Sequence, residues 1–401
     1  MRRDMTMSEW TTWLLMPLLV VEAVLGVLVG YLVLLTVAAL LARRHTVLSA
    51  EPRHRFAILV PAHNEERLLP DLLESLAALD YPKTLYDVHV VADNCTDRTA
   101  AIARRAGVHV YERFDTERVG KGHALNWLLA QIKSPYDAIV IFDADTVVSP
   151  RFLRVMDARL AQGEKVIQGY YAVRDPARSW SVALRYAALA VLHYLRPLGR
   201  SVLGGTTGLK GNGMCLRADI AQRFAWSGSL TEDIEYHMEL VLAGERVTFA
   251  PDARLEAEMP GTLRGAQTQN VRWERGRLQM VRAYVPRLLR MAFRRRRFAP
   301  FDAAMEQLIP PTAVLTALIG ACTLAGVALG LLGAGWAGAW AGLALLAGEA
   351  IYLIIGLLLA RAPARVWLAL LYAPVFVVWK VVLYLRVLAG RERQGWIRTE
   401  R

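Results

Sequence analysis

The sequence predicts an α/β domain with a mixed, mainly parallel sheet, combined with transmembrane and interfacial α-helices. Two observations predict it. Three short apolar runs, at residues 56–60, 88–92 and 138–142, have the continuous character of strands buried on both faces, and helical patterns separate them. Apolar segments long enough to cross a bilayer stand at both ends of the 401-residue chain.

In chain order, residues 1–46 are expected to form an N-terminal transmembrane helix. Residues 14–42 carry one charge, Glu22, over more than the roughly 20 residues that a 30 Å hydrocarbon core requires. The run is too long for the apolar region of a signal peptide, and Ala42-Arg43-Arg44-His45 is a poor cleavage site, so a retained anchor is expected. Residues 47–260 form the α/β domain, with helices at 68–79, 97–106 and 122–132 alternating with the three strands. Ligands of such sheets bind at the strands' carboxyl ends, and each strand here ends in a polar segment: PAHNEE, DNCTDRT or DADTVVSP.

Residues 261–305 mix Trp273, Leu278, Met280 and Tyr284 with many arginines, which suits amphipathic helices lying in the membrane interface. Residues 306–401 hold apolar segments at 308–332, 336–360 and 366–388, followed by an arginine-rich tail. If all three segments cross, the tail violates the positive-inside tendency, and a break at Pro374 would remove the conflict. Glu349 falls inside the second segment, as a functional group or as one paired structurally within the bundle.

Three cysteines, Cys95, Cys215 and Cys322, have neither metal spacing nor the even number of a disulfide framework, which fits a reducing compartment. The net charge of +12 does not point to nucleic acid, because the arginines cluster after position 260 beside apolar segments. Membrane lipids and a donor diphosphate are the expected partners.

The chemistry-bearing residues follow the strands. Asp143 and Asp145 leave a strand end one residue apart and can share one hard cation, Mg²⁺ or Mn²⁺, that bridges a nucleotide diphosphate. Asp93 can accept a hydrogen bond from a base or ribose, while Asp97 reads mainly as a helix cap. In PAHNEE, from Pro61 to Glu66, Asn64 reads as a cap and Glu65 as dipole-favouring, and nucleotide contact is compatible with both roles. Lys121 can neutralise phosphate charge. Thr231 is the expected cap of a helix over 234–243, with Glu232 and Asp233 in its first turn. A sugar acceptor's hydroxyl must lose its proton as it attacks the anomeric carbon, and Asp233, then Glu232, is the carboxylate for that step. Gln269, Arg272 and Trp273 fall on adjacent turns of one helix face. An arginine there stabilises a departing phosphate and an indole offers a pyranose a flat surface; an interfacial aromatic–arginine belt is the alternative. The glycine-rich stretch 208–217 reads as an acceptor loop or a tight turn.

Taken in order, PAHNEE, DNCTD, DAD, TED and QxxRW, over residues 56–273, resemble the membrane-bound family 2 glycosyltransferases of the cellulose, chitin and hyaluronan synthase type. The resemblance implies a GT-A fold and inversion at the anomeric carbon. It assigns Asp93 to the base, Asp143 and Asp145 to metal and diphosphate, Asp233 to the acceptor hydroxyl, and Gln269, Arg272 and Trp273 to a cover over donor and acceptor. The expected activity is transfer from a nucleotide-sugar, a UDP-sugar by preference, to a growing surface polysaccharide or glycan. The catalytic domain is expected in the cytosol and the chain in the inner (plasma) membrane as a multi-pass protein. With one helix before the domain and few after it, no single-chain secretion pore is expected. Two alternatives stand beside this: single-sugar transfer to a lipid or lipid-linked acceptor, as in ceramide glucosyltransferase-like enzymes, and a non-catalytic scaffold or sugar transporter.

Overall fold

The computed structural model describes residues 7–42, 45–48 and 51–390. The expectations placed on Arg43, Arg44 and the arginine-rich tail therefore lie outside the described residues. The sheet has strands β1 (Phe56–Ala62), β2 (Tyr86–Asp93), β3 (His109–Arg113), β4 (Ala138–Ile141), β5 (Thr146–Val148), β6 (Val166–Val173), β7 (Met214–Arg217) and β8 (Val247–Ala257), in the order β3-β2-β1-β4-β7-β6-β8-β5.

The continuous apolar runs became central strands because both sheet faces are covered. Phe56, Ile58 and Val60 of β1 enter one core with Leu69, Leu72 and Phe152, whereas Ala57 and Leu59 enter another with Leu125, Leu128 and Tyr236. β1 pairs parallel with β2 and β4, and β2 with β3. The sheet is mixed because β7 runs antiparallel between β4 and β6. That reversal carries the glycine-rich loop preceding β7 to the carboxyl ends of β1 and β4. β6 and β8 give weak signals in sequence because Gly169 and the Pro251-Asp252 pair interrupt them, and a register shift at Gly169/Tyr170 accommodates the irregularity.

Among the described residues, four helical spans are long and apolar enough to cross a membrane: Trp13–Leu40, Thr312–Ala334, Ala337–Leu359 and Ala364–Leu388. The expected start at 308 is displaced, since Leu308 ends the preceding helix Phe298–Leu308 and Pro310-Pro311 separates the two. The last span breaks into Ala364–Ala369, a 3-10 turn and Ala373–Leu388, with Pro374 in the first turn of the second piece. Small residues let these helices approach closely: a Cβ at Gly342 would fall 2.3 Å from Thr323 Oγ1. Glu349 is buried and accepts a hydrogen bond from Thr316 at 3.0 Å, a structural pairing that was one of the two roles open to it.

Helix Leu263–Arg295 buries Gln269, Asn270, Glu274, Met280 and Leu288, packing on Glu232–Leu242 and Phe298–Leu308, and exposes Arg282, Arg290, Arg294 and Arg295. A buried ionic knot ties the N-terminal helix to the domain. Arg200, 1% exposed, meets Asp302 at 3.0 Å and Glu306, and Asp302 also accepts from the Tyr31 hydroxyl and from the Thr206 amide at 2.7 Å. One residue before Arg200, a Cβ at Gly199 would meet the Leu35 carbonyl oxygen at 2.2 Å.

Gly199→Val should therefore destabilise the protein by about 1–3 kcal/mol, the usual cost of overpacking, read as a lowered unfolding midpoint in detergent. Gly30→Ala, with nothing within 4 Å of the added Cβ, serves as the control and should not lower it. Equal midpoints for both variants would remove this contact from the account.

Candidate active site

The first strand end is built by loops that tie one another down. Asn64 is left-handed, with φ 54°, and its Oδ1 accepts the Thr96 amide at 2.7 Å, while its own amide meets Cys95 Sγ at 3.3 Å. This differs from the expected helix cap: helix Leu69–Ala77 starts at Leu68 without a side-chain cap, because the left-handed backbone turns Asn64 toward the neighbouring loop. Asp97 does act at a helix start, accepting the Thr99 amide at 2.9 Å, and it also accepts the Glu66 amide at 3.0 Å. His63 Nδ1 lies 2.7 Å from the Asp93 carbonyl oxygen.

Asp93, 6% exposed, closes β2 and is held by the Arg113 guanidinium at 2.6 Å. Burial raises its carboxyl above the usual range even though Arg113 opposes the shift. Arg113 in turn meets Asp115 at 2.8 Å and the Arg118 carbonyl at 2.7 Å, so one oxygen of Asp93 is fixed by a rigid clamp. Sequence reading missed Arg113 because the edge strand β3 that carries it is largely solvent-facing and gives no apolar signal.

Asp143 and Asp145 follow β4. Lys121, at the start of helix Lys121–Gln131, bonds both Asp143 and the Gly211 carbonyl. Gly211 has φ 73°, and a Cβ there would come within 3.3 Å of Asp233 Oδ2 and 3.5 Å of Lys121 Nζ, so glycine is what lets these charges converge. Asn212 completes the support, its Oδ1 accepting the Asp143 amide at 3.2 Å and its Nδ2 donating to Thr146 Oγ1 at 2.8 Å. Burial alone would lower the Lys121 ammonium, but Asp143, Glu232 and Asp233 hold it above its ordinary value.

Glu232 and Asp233 open helix Glu232–Leu242. Thr231 occupies the capping position but its hydroxyl makes no cap bond; it is pressed against helix Leu263–Arg295, where a Cβ at Gly276 would strike it at 2.3 Å. Burial, then the charge of Asp233, pushes the Glu232 carboxyl up to about 7, and burial likewise raises Asp233. Gln269, 7% exposed, presents a buried Oε1 with no hydrogen-bond partner among the described residues.

These groups face one cavity of about 480 Å³. Pro61, Glu65, Asp93, Lys121, Asp143, Asp145, Glu232, Asp233, Gln269, Arg272 and Trp273 all line it; Asn64 does not, acting one step behind as a loop tie. The same cavity is also lined by the apolar residues Ala188, Leu189, Leu192, Met259, Ile309 and Phe376, and by Arg185 and Arg196. Sequence reading did not reach this lining, although Asp302 and Glu306, spaced i,i+4 in an apolar helix, signalled that Phe298–Leu308 faces something polar.

Comparison with known proteins agrees with this architecture. The family described as Glycosyltransferase like family 2 matches residues 52–276. A β-monoglucosyldiacylglycerol synthase of Synechocystis sp. is 29% identical over 58% of this chain and 49% of its own length. A poly-β-1,6-N-acetyl-D-glucosamine synthase of Staphylococcus aureus is 26% identical over 54% of this chain and 53% of its own. The chain thus spans about half the length of these curated relatives. A mannosyltransferase of Pyrobaculum calidifontis, solved with GDP-Man and Mn²⁺, superposes with a TM-score of 0.56 at 18% identity, covering 94% of this chain and all of that one, a likeness of fold. By its matched family, its strand-end motifs and its mixed sheet, the chain belongs to the family 2 glycosyltransferases and has a GT-A-like fold.

Proposed function

We propose that the protein transfers one sugar from a nucleotide-sugar, a UDP-sugar by preference, to a hydroxyl of a lipid or lipid-linked acceptor at the membrane surface, forming a β-glycosidic bond. The observation that carries this reading is the single cavity joining the strand-end carboxylates to the apolar wall of Leu189, Leu192 and Phe376. A donor at one end and an acyl or prenyl chain at the other would meet beside Asp233. The names of both relatives describe β-linked products, and that of the Synechocystis relative describes a glycolipid. The names divide between a glycolipid and a polysaccharide, and it is the apolar lining of the cavity that favours the lipid alternative.

Asp93, clamped by Arg113, offers its carboxylate to the base. Asp143 and Asp145 fit Mg²⁺ or Mn²⁺, hard cations that take carboxylate oxygens together with substrate phosphates and water. Among the described residues no group of three or more metal-binding side chains occurs, so the diphosphate and water would complete such a shell. A bound ion would supply positive charge to the diphosphate. Arg272 adds charge to the departing nucleoside diphosphate, Trp273 gives the sugar a flat surface, and Gln269 offers an acceptor oxygen to a hydroxyl. Asp233 takes the proton of the acceptor hydroxyl as its oxygen bonds the anomeric carbon and the bond to phosphate breaks.

Asp233→Asn should keep donor affinity, measured by nucleotide titration, and lower turnover by about two to four orders of magnitude. Near-normal turnover would take Asp233 out of the role.

The base must be ionised, and burial raises the Asp233 carboxyl as it does that of Glu232, so kcat/KM should fall as pH drops through this raised carboxyl range. Two carboxyls this close titrate as a pair. Glu232→Gln removes a negative neighbour, eases ionisation of Asp233 and should shift the acid limb of the pH profile to lower pH. An unmoved limb would show that the pair does not set it.

A further inference from the structure

The cations lining the cavity divide into two kinds. Lys121 pairs with Asp143, Lys210 with Glu306 at 3.0 Å, Lys380 with Glu274 at 2.9 Å, and Arg277 with Glu274 at 3.4 Å. Arg272 stands at the donor end, within the field of Glu232. Neither Arg196 nor Arg185 has a carboxylate within 4 Å among the described residues; Arg196 donates to the Tyr352 hydroxyl at 2.7 Å, whereas Arg185, 5% exposed, keeps an unused N–H. Arg185 Nη2 donates to the Pro260 carbonyl and its Nε to the Ser181 carbonyl at 3.2 Å, while its buried Nη1 has no partner among the described residues. Burial lowers its pKa to about 10, which leaves it charged at neutral pH.

Its setting is amphiphilic. Arg185, Ala188, Leu189, Leu192, His193 and Arg196 form one stripe, at helical spacing, on helix Trp180–Ala190 and its continuation through a π-turn at Val191–Leu195. The first residue of that helix, Trp180, stacks on Tyr372 of the last membrane-length span, with ring centroids 5.5 Å apart. A buried guanidinium with an idle N–H and no counter-ion is costly unless an anion completes it, and phosphate oxygens match its planar fork.

Resting on the transferase reading above, we propose that the acceptor is an anionic lipid, a phosphate or diphosphate ester on an apolar chain, and that Arg185 binds its phosphate while Leu189, Leu192 and Phe376 line the path of the chain. The ester comes from one of two sources, a phospholipid headgroup that bears a hydroxyl or a polyprenyl diphosphate carrier whose attached glycan supplies it. Neutral diacylglycerol lacks the group that Arg185 is placed to receive.

The test is lipid retention by the full chain in neutral maltoside micelles, read by native mass spectrometry with dodecyl phosphate, phosphatidylglycerol, undecaprenyl diphosphate and dioleoylglycerol as probes. The wild type should retain the phosphate-bearing probes over dioleoylglycerol. Arg185→Gln, which keeps a donor for the Pro260 carbonyl, should weaken the phosphate probes roughly 10- to 100-fold, the worth of a charged hydrogen bond, and leave dioleoylglycerol unchanged. Arg185→Lys should restore part of the loss. Preference for phosphatidylglycerol identifies a headgroup, and preference for undecaprenyl diphosphate a carrier; both support the proposal. No phosphate preference in the wild type, or equal loss of all probes in Arg185→Gln with UDP binding intact, overturns it. Because retention is read without turnover, phosphate selectivity without sugar transfer would defeat the transferase reading alone, and transfer without phosphate selectivity would defeat only this one.

Discussion

Crowding of carboxylates around the Lys121 ammonium is the constraint on which the site depends. Asp143 arrives from β4, and Glu232 and Asp233 arrive from a helix almost ninety residues later. Like charges in a half-dry cleft repel. They are held together because Lys121 meets Asp143 and the Gly211 carbonyl, and because Gly211 itself leaves room for Asp233. The reversed strand β7 delivers that loop to the strand ends. The same crowding, with burial, raises the carboxyls of Glu232 and Asp233 above their ordinary range.

A second constraint joins this polar centre to the membrane-length helices. Arg200 is almost fully buried and reaches Asp302 and Glu306, Glu306 reaches Lys210 in the glycine-rich loop, and Tyr31 of the N-terminal helix closes on Asp302. A buried ion pair contributes little net stability but is severe on any arrangement that leaves one partner alone. The knot therefore fixes register, holding the N-terminal helix and Phe298–Leu308 to the loop that shapes the site. The cavity that results is lined both by the strand-end carboxylates and by apolar side chains such as Leu189, Leu192 and Phe376.

The strands that place the motifs were legible in sequence because β1, β2 and β4 are buried on both faces and read as unbroken apolar runs. Asp93, Asp143, Asp145 and Asp233 were legible as cavity residues because short polar segments at such strand ends, and acidic residues in a first helical turn, have few packing reasons to exist, whereas Gln269, Arg272 and Trp273 stood out only through the family resemblance. What stayed hidden depends on contacts between distant segments. Arg113 is ordinary in its own strand and acquires meaning only against Asp93, 20 residues away. Asn64 looks like a cap until its left-handed backbone turns it to Thr96. Arg185 sits in an apolar helical stretch whose cavity-facing stripe appears only once the last span packs beside it, and the interrupted strands β6 and β8 carry glycine and proline where periodicity needs continuity.

In the proposed reading, one nucleotide-sugar site and one lipid site share a cavity. The most direct measurement is product mass after incubating the purified protein in lipid nanodiscs with UDP-, GDP- and dTDP-sugars, Mg²⁺ or Mn²⁺, and a bacterial lipid extract. The account predicts nucleotide release from one donor, accompanied by a lipid heavier by one sugar. A ladder of masses spaced by one sugar, or release of no nucleotide from any donor, would contradict it.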